Sequence, residues 1–303
     1  MSDTLSRSSR TRAEIASQPD CWAEALRRAD AGVTGLPEAG ESLLALGCGT
    51  SYYVASAYAM LREAAGQGLS DALVASDLPS RLRTYDRVVT ISRSGTSSEL
   101  IDAVTRVRSE SPSIRVTVLL GEQGTPIADL ADDVVDLSFA DERSVVQTRF
   151  PSTQLVLLRA CLEGLTPELL GLPDRARVAL EGPLPSSNVR QIVFLASGWG
   201  AAIGQEAALK VREASGSWVE SYPVPEYRHG PVATCGPGSL VWGFDRLPAD
   251  IVDTVQAAGG VVEHGSGEPL IELLRAHRFA IERADRAGRD ADHPYLLSRS
   301  VIR

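Results

Sequence analysis

The chain repeats itself at a distance of about 150 residues, and that repetition restricts its folding choices more than any other feature. Leu43-Leu44-Ala45-Leu46-Gly47-Cys48-Gly49-Thr50-Ser51 and Val193-Phe194-Leu195-Ala196-Ser197-Gly198-Trp199-Gly200-Ala201 each run an apolar stretch into a glycine-bearing turn. A helical pattern follows in both halves, and its end reads alike: Leu61-Arg62-Glu63-Ala64-Ala65-Gly66 and Val211-Arg212-Glu213-Ala214-Ser215-Gly216. A short strand comes next, Leu73-Val74-Ala75-Ser76 or Trp218-Val219-Glu220-Ser221. Strand, tight turn, helix and strand in succession bury their apolar strands as a parallel sheet covered by helices. Duplication implies two such units.

The rest of the periodicity agrees. Further strands are expected at 88–91, 115–120 and 133–137 in the first half and at 239–244 and 260–264 in the second. Helices are expected at 11–30, 53–65, 154–165, 251–258 and 270–284. The stretch 166–188 changes character, with Pro167, Pro173, Pro183 and Pro185 beside Gly171 and Gly182, so a domain boundary is expected near residue 186. The fold expected is α/β: two tandem domains, each a parallel sheet flanked by helices in a doubly wound, flavodoxin-like three-layer sandwich. Residues 1–30 form a lead-in and helix, 31–185 the first domain, and 186–303 the second domain with a C-terminal tail. Residues 1–12 are Ser- and Arg-rich with no apolar core, and read as a disordered lead-in and not as a secretory signal.

Composition removes several function classes. With 44% hydrophobic and 23% charged residues this is ordinary globular composition. The net charge of −9 argues against general binding to nucleic acid or membrane surfaces, so an anionic ligand must be caught locally. No apolar run approaches the roughly 20 residues of a membrane span. Cys21, Cys48, Cys161 and Cys235 are scattered without a CxxC pair, which reads as reduced thiols in a cytoplasmic protein. His229, His264, His277 and His293 show no HxxxH spacing, and neither a metal nor another cofactor is expected.

The residues Ser92-Arg93-Ser94-Gly95-Thr96-Ser97-Ser98 join the strand at 88–91 to a helical pattern carried by Leu100, Ile101, Val104 and Val107. Backbone N–H groups and the positive end of a helix dipole make such a loop an anion site. Its hydroxyls add donors, Gly95 permits close approach, and Arg93 offers a charge. The competing reading is an ordinary Ser/Thr helix cap, for which one hydroxyl suffices; four serines in seven residues favour phosphate. The Gly47-Cys48-Gly49 turn lacks the third glycine and the downstream acidic residue of a dinucleotide fingerprint.

In the second half, Glu206, Lys210 and Glu213 fall at i, i+4 and i+7 on one helix face. That pattern is either a solvated salt-bridge face or a charged functional cluster. The following Tyr222-Pro223-Val224-Pro225-Glu226-Tyr227-Arg228-His229-Gly230-Pro231 is a rigid loop of the kind that presents functional groups, and His229 is either an acid–base residue or a structural cap.

Taken together, Cys48-Gly49-Thr50-Ser51, Ser92-Arg93-Ser94-Gly95-Thr96-Ser97, Ala207-Ala208-Leu209-Lys210-Val211-Arg212-Glu213 and Glu226-Tyr227-Arg228-His229-Gly230-Pro231 resemble the sugar isomerase (SIS) domain family. The likeness runs from about residue 11 to 303 and includes the opening Ala13-Glu14-Ile15-Ala16-Ser17-Gln18-Pro19. It is nearest the tandem pair forming the isomerase half of glucosamine-6-phosphate synthase and stand-alone isomerase-deaminases and deglycases of amino-sugar phosphates. The resemblance implies that Thr50, Ser51, Ser92, Arg93, Ser94 and Ser97 hold a sugar phosphate, with Val145 lining the sugar. It implies Glu213 as the base that moves a proton between C1 and C2, Lys210 as its support, and His229 as the ring-opening group, supplied by the neighbouring subunit of a homodimer or larger assembly. Such chemistry needs a carboxylate near an activated C–H, a group titrating near neutrality, and a distant phosphate that fixes orientation.

Two departures stand out. The family has Gln at the position of Arg93 and, in the tail, a lysine at the position of Arg299; arginine stays protonated and cannot form a Schiff base, so Arg299 is expected to bind the sugar phosphate by electrostatic contact instead. No counterpart of the synthase's glutamine-hydrolysing half is expected. The function expected is an isomerase, deaminase or deglycase acting on an amino- or amine-linked hexose 6-phosphate. The alternative is a non-catalytic sugar-phosphate sensor or regulatory protein.

Overall fold

A computed structural model describes residues 7–299. In chain order it contains α1 (Ser9–Ala16), α2 (Gln18–Ala31), β1 (Leu43–Gly47), α3 (Thr50–Ala64), β2 (Ser70–Val74), β3 (Arg87–Ser92), α4 (Ser98–Glu110), β4 (Arg115–Leu120), β5 (Asp133–Asp136) and α5 (Arg149–Glu163). Then come α6 (Pro167–Leu170), α7 (Leu172–Glu181), β6 (Gln191–Ala196), α8 (Gly200–Ser215), β7 (Val219–Pro223), β8 (Ser239–Gly243), α9 (Ala249–Ala257), β9 (Val261–His264) and α10 (Pro269–Arg286). Among the described residues no helix is long and apolar enough to cross a membrane.

Every pairing in both sheets is parallel. The first sheet has the order β2-β1-β3-β4-β5 and the second β7-β6-β8-β9. Contacts divide the chain into two compact units. One, the first-sheet unit, contains Gln18–Arg143, Arg149–Pro173 and the tail residues Ser298 and Arg299; the other contains Asp174–Leu297, Ser144–Thr148 and residues 7–17. In the first-sheet unit Leu44, Leu46, Val88, Val116, Val118 and Leu120 pack with Leu100, Ala103, Val104 and Val107 of α4. The alternating Leu43, Ala45, Val89, Ile91 and Leu119 are equally buried, so both faces of the sheet are covered. In the second, Val193, Leu195 and Val241 meet Ile251 and Val255 of α9, while Phe194 and Trp242 stack in sequence toward Phe279 of α10.

Three local expectations are corrected. The lead-in to residue 12 is helical from Ser9; residues 1–6 lie outside the described residues. The single helix expected at 11–30 is two, interrupted at Ser17, because Pro19 in the first turn of α2 has no N–H to continue the preceding hydrogen-bond ladder. The fifth helix begins at Arg149 and not Gln154: the Glu142 carboxylate accepts the N–H groups of Arg149 (3.1 Å) and Phe150 (3.2 Å), a cap that comes from upstream of the helical pattern. The proline-rich stretch from 166 is also largely helical. Pro167 takes the first position of α6, and the Thr166 hydroxyl accepts from Leu169 N–H.

Helix α1 is fastened to the tail through acids. Asp290 accepts from Ser8 N–H (2.8 Å) and bonds the His293 ring (2.9 Å), and Asp292 accepts from Thr11 N–H (2.8 Å) and hydroxyl (2.7 Å). Burial alone would raise the Asp290 carboxyl, but the bonds from His293, Ser8 and Asp292 outweigh it and hold the group below the usual carboxylate value. The depressed value means the ionised form stabilises the docked helix above about pH 4, and that contribution disappears as pH falls through the folded value. Amides of 9–16 are therefore expected to lose protection against hydrogen exchange below about pH 4 relative to their intrinsic rates, and Asp290→Asn to blunt that dependence.

Candidate functional site

Strand order locates the open end of the first sheet. The chain leaves β1 toward β2 on one side and β3 toward β4 on the other, so the neighbours β1 and β3 form a switch point. In parallel α/β sheets the crevice at the carboxyl ends of such strands is where ligands sit. Two loops open there. The first is Gly47-Cys48-Gly49, leading into Thr50 and Ser51 at the start of α3. A Cβ on Gly47 would lie 2.4 Å from the Ser51 carbonyl carbon, and Gly49 has φ +54°, so both positions require glycine. The second is the serine loop between β3 and α4.

The serine loop is folded on itself. Ser92 Oγ accepts from Gly95 N–H (3.0 Å), and Ser94 Oγ accepts from the Thr96 hydroxyl (3.1 Å). Gly95 has φ +63°, and a Cβ there would meet Thr125 Oγ1 at 2.0 Å. Ser97 occupies the cap position of α4 yet makes no side-chain capping bond, and α3 is headed by Gly49, which has no side chain. Capping by its own hydroxyl therefore does not account for Ser97. Two helix N-termini without side-chain caps lie at the ends of adjacent strands, with Thr50, Ser51, Ser92, Ser94 and Ser97 around them. Helix N-termini with hydroxyls beside them can accept an anion.

Arg93 points elsewhere. Its side chain is buried and Nη2 donates to the Arg299 carbonyl at 2.7 Å. Burial pushes its guanidinium below the usual arginine range, against the opposing influence of Glu142. Arg299 pairs with Glu122 (2.5 Å) and donates to the Glu142 carbonyl (3.1 Å).

In the second-sheet unit the charged face of α8 is covered, not solvated. Lys210 is 1% exposed and Glu206 0%, while the Glu213 side chain keeps 18%. The Lys210 ammonium lies 2.5 Å from Glu213 Oε2 and 3.5 Å from Glu206 Oε1. Spacing places these groups on one face, but it carries no information on what covers that face. Helix α10 packs on α8 and brings His277, which sequence reasoning missed. His277 is fully buried; burial first, and the Lys210 charge second, hold it neutral well below its ordinary value. The signal was a histidine among Leu273, Leu274, Ala280 and Ile281 on an apolar stripe.

The remaining predicted residues lie on separate elements of that unit. His229 ends a short turn (Glu226–His229) after β7 and is exposed. Its neighbours are anchored: Tyr227 is buried among Val193, Leu195 and Val241, and Arg228 bonds Asp250 at 2.6 and 2.9 Å. Val145 is half-buried in Ser144–Thr148, a segment tied to α1 where Ser144 N–H reaches the Glu14 carboxylate (3.3 Å) and Ser144 Oγ bonds Thr11 Oγ1 (3.0 Å).

Comparison with known proteins meets this geometry. No family model matches the chain. A glutamine–fructose-6-phosphate aminotransferase [isomerizing] from Caldanaerobacter subterraneus subsp. tengcongensis is 25% identical over 86% of this chain and 52% of its own length. The Aeropyrum pernix protein of the same name is 30% identical over 76% of this chain and 42% of its own. The chain thus spans about half the length of these curated relatives. Among solved structures, glucosamine-6-phosphate deaminase from Thermotoga maritima superposes with a TM-score of 0.82 at 21% identity, covering 97% of this chain and 99% of that one. Tagatose-6-phosphate ketose/aldose isomerase from Escherichia coli gives 0.75 at 20%, covering 94% and 96%. The homologues and structural neighbours of this chain are SIS-domain phosphosugar isomerases. At these identities the structural likeness speaks for the SIS fold, an α/β fold of parallel sheets flanked by helices.

Neutral His277 has a consequence in solution. Unfolded, it takes up a proton below about pH 6.5; folded, it does not, so stability falls as pH drops below that point, by at most about 1.4 kcal/mol per pH unit from this group. His277→Gln is expected to lose less of its melting temperature than the wild type between pH 7.5 and 5.5, as thermal unfolding would record.

Proposed function

We propose that this chain is a phosphosugar aldose–ketose isomerase, with or without loss of the amine, acting on an amino- or amine-linked hexose 6-phosphate through two tandem SIS domains. The observation that carries the reading is the α8 cluster: a buried Lys210 between buried Glu206 and partly exposed Glu213. Glu206 and Glu213 together compensate the buried Lys210 ammonium, and the Glu213 side chain stays partly exposed.

In this reading the phosphate sits on the Thr50–Ser51 and Ser92–Ser97 loops and fixes the sugar. Glu213 takes the proton from the carbon next to the carbonyl or imine, giving an enediol or enaminol, and returns it to the neighbouring carbon. Lys210 keeps its charge beside the carboxylate and stabilises negative charge developing on the substrate oxygen. His229, exposed in the single chain, opens and closes the ring, and we assign that role across a homodimer interface in the cytoplasm. Val145 lines the sugar. A second reading, a sugar-phosphate sensor, is favoured by Arg299, which stands at the family's lysine position and is engaged with Glu122.

Purified protein incubated with glucosamine 6-phosphate, galactosamine 6-phosphate, fructosamine 6-phosphates and plain hexose phosphates is expected to turn over at least one. Glu213→Gln should reduce that turnover by about 10²- to 10⁴-fold while binding survives. Binding without turnover in the wild type would favour the sensor; undiminished turnover in Glu213→Gln would remove this residue as the base. Mixing Glu213→Gln with His229→Ala subunits should recover part of the activity, and a fully active monomer would refute the shared site.

A further inference from the structure

Arg93, Glu122 and Arg299 close a ring of bonds behind the serine loop. Glu122 N–H and Gly121 N–H donate to the Arg93 carbonyl at 3.1 and 3.2 Å. The Arg93 guanidinium donates to the Arg299 carbonyl at 2.7 Å. The Arg299 guanidinium returns to the Glu122 carboxylate at 2.5 Å, with Asp141 Oδ1 at 3.4 Å. From this ring we infer that Arg93 is the latch of the C-terminal tail, not a ligand of the phosphate, and that Arg93 and Arg299 are positioning residues for the serine loop. The inference rests on that loop being the phosphate site.

Three observations support it. The Arg93 side chain is 2% exposed, and its path is made possible by Gly121: a Cβ there would stand 3.2 Å from Arg93 Cγ and 3.0 Å from the Phe150 ring. The carboxylates of Glu142, Asp141 and Glu122 favour its charge, against burial and the Arg299 guanidinium, which disfavour it. A phosphate would have to draw it away from these partners. Finally, the bonds on Arg93 leave from both its ends. The carbonyl is held by the end of β4 and the guanidinium by the tail, so the residue between Ser92 and Ser94 is fixed on two sides. A loop held this way presents its hydroxyls and N–H groups without reordering on binding, which raises affinity by lowering the cost of ordering. By reciprocity, a ligand that needs the ordered loop must in turn favour the seated tail.

The test uses the full-length protein with Arg299→Ala, Arg299→Lys and Glu122→Gln. Hydrogen exchange of the peptide containing residues 92–99, without ligand, is expected to speed up in Arg299→Ala and Glu122→Gln and to recover in part in Arg299→Lys, which keeps a cation for the Glu122 ion pair. Titration with inorganic phosphate and glucosamine 6-phosphate should give a Kd about tenfold weaker in Arg299→Ala, about 1.4 kcal/mol. Where the sugar is turned over, KM should rise more than kcat falls. Loop exchange equal to wild type in both Arg299→Ala and Glu122→Gln would overturn the latch. A wild type that binds neither ligand would overturn the phosphate-site reading instead, while the ligand-free exchange comparison still decides the latch.

Discussion

Both faces of each parallel sheet are buried under helices, and a ligand can therefore meet these sheets only at their ends. That constraint follows from the connections. Parallel strands need crossovers, crossovers lay helices on the faces, and all β-to-α turns emerge along one edge. In the first-sheet unit the edge opens between β1 and β3, where two helix N-termini begin beside Thr50, Ser51 and the serine loop. The second-sheet unit has the same order of its first three strands, β7-β6-β8. Its turn after β8, however, carries Phe244, Asp245 and Arg246 in place of serines. That turn has no run of hydroxyls, so the two sheets differ in the side chains they place at the end of the third strand.

The second-sheet unit has to tolerate a buried ammonium. Lys210 has almost no contact with water, and an uncompensated charge in that position would cost several kcal/mol. Two glutamates one turn away on either side meet the need, and a neutral His277 completes the surroundings without adding a second positive charge. Glu206 is wholly inside, whereas Glu213 keeps an exposed portion. Both carboxylates balance the ammonium, and they differ in that Glu213 alone keeps part of its side chain exposed.

Much of this is legible in the sequence alone. The repeat around Gly47 and Gly198, the alternation of strand and helix, and the serine loop are short-range patterns, and the strands fall close to where those patterns place them. Boundaries that depend on distant residues were not legible. Helix α5 starts where Glu142 caps it, α1 exists because the tail acids Asp290 and Asp292 hold its first turn, and the proline-rich segment is helical because Pro167 suits a first helical position. The site divides in the same way. Glu206, Lys210 and Glu213 were found by spacing, but their burial came from α10, and His277 looked like one polar residue on an apolar stripe. The direction of the Arg93 side chain depends on Arg299, which lies 206 residues away in the sequence.

The central claim is that Glu213 moves a proton between the first two carbons of a sugar phosphate. It is tested most directly with a hexose or aminohexose 6-phosphate that the protein binds, carrying deuterium at C2, followed by mass spectrometry and NMR. The account predicts that wild-type protein moves the label to C1 or releases it to water, and that Glu213→Gln leaves it in place. Label that stays at C2 through prolonged incubation with the wild type would contradict it.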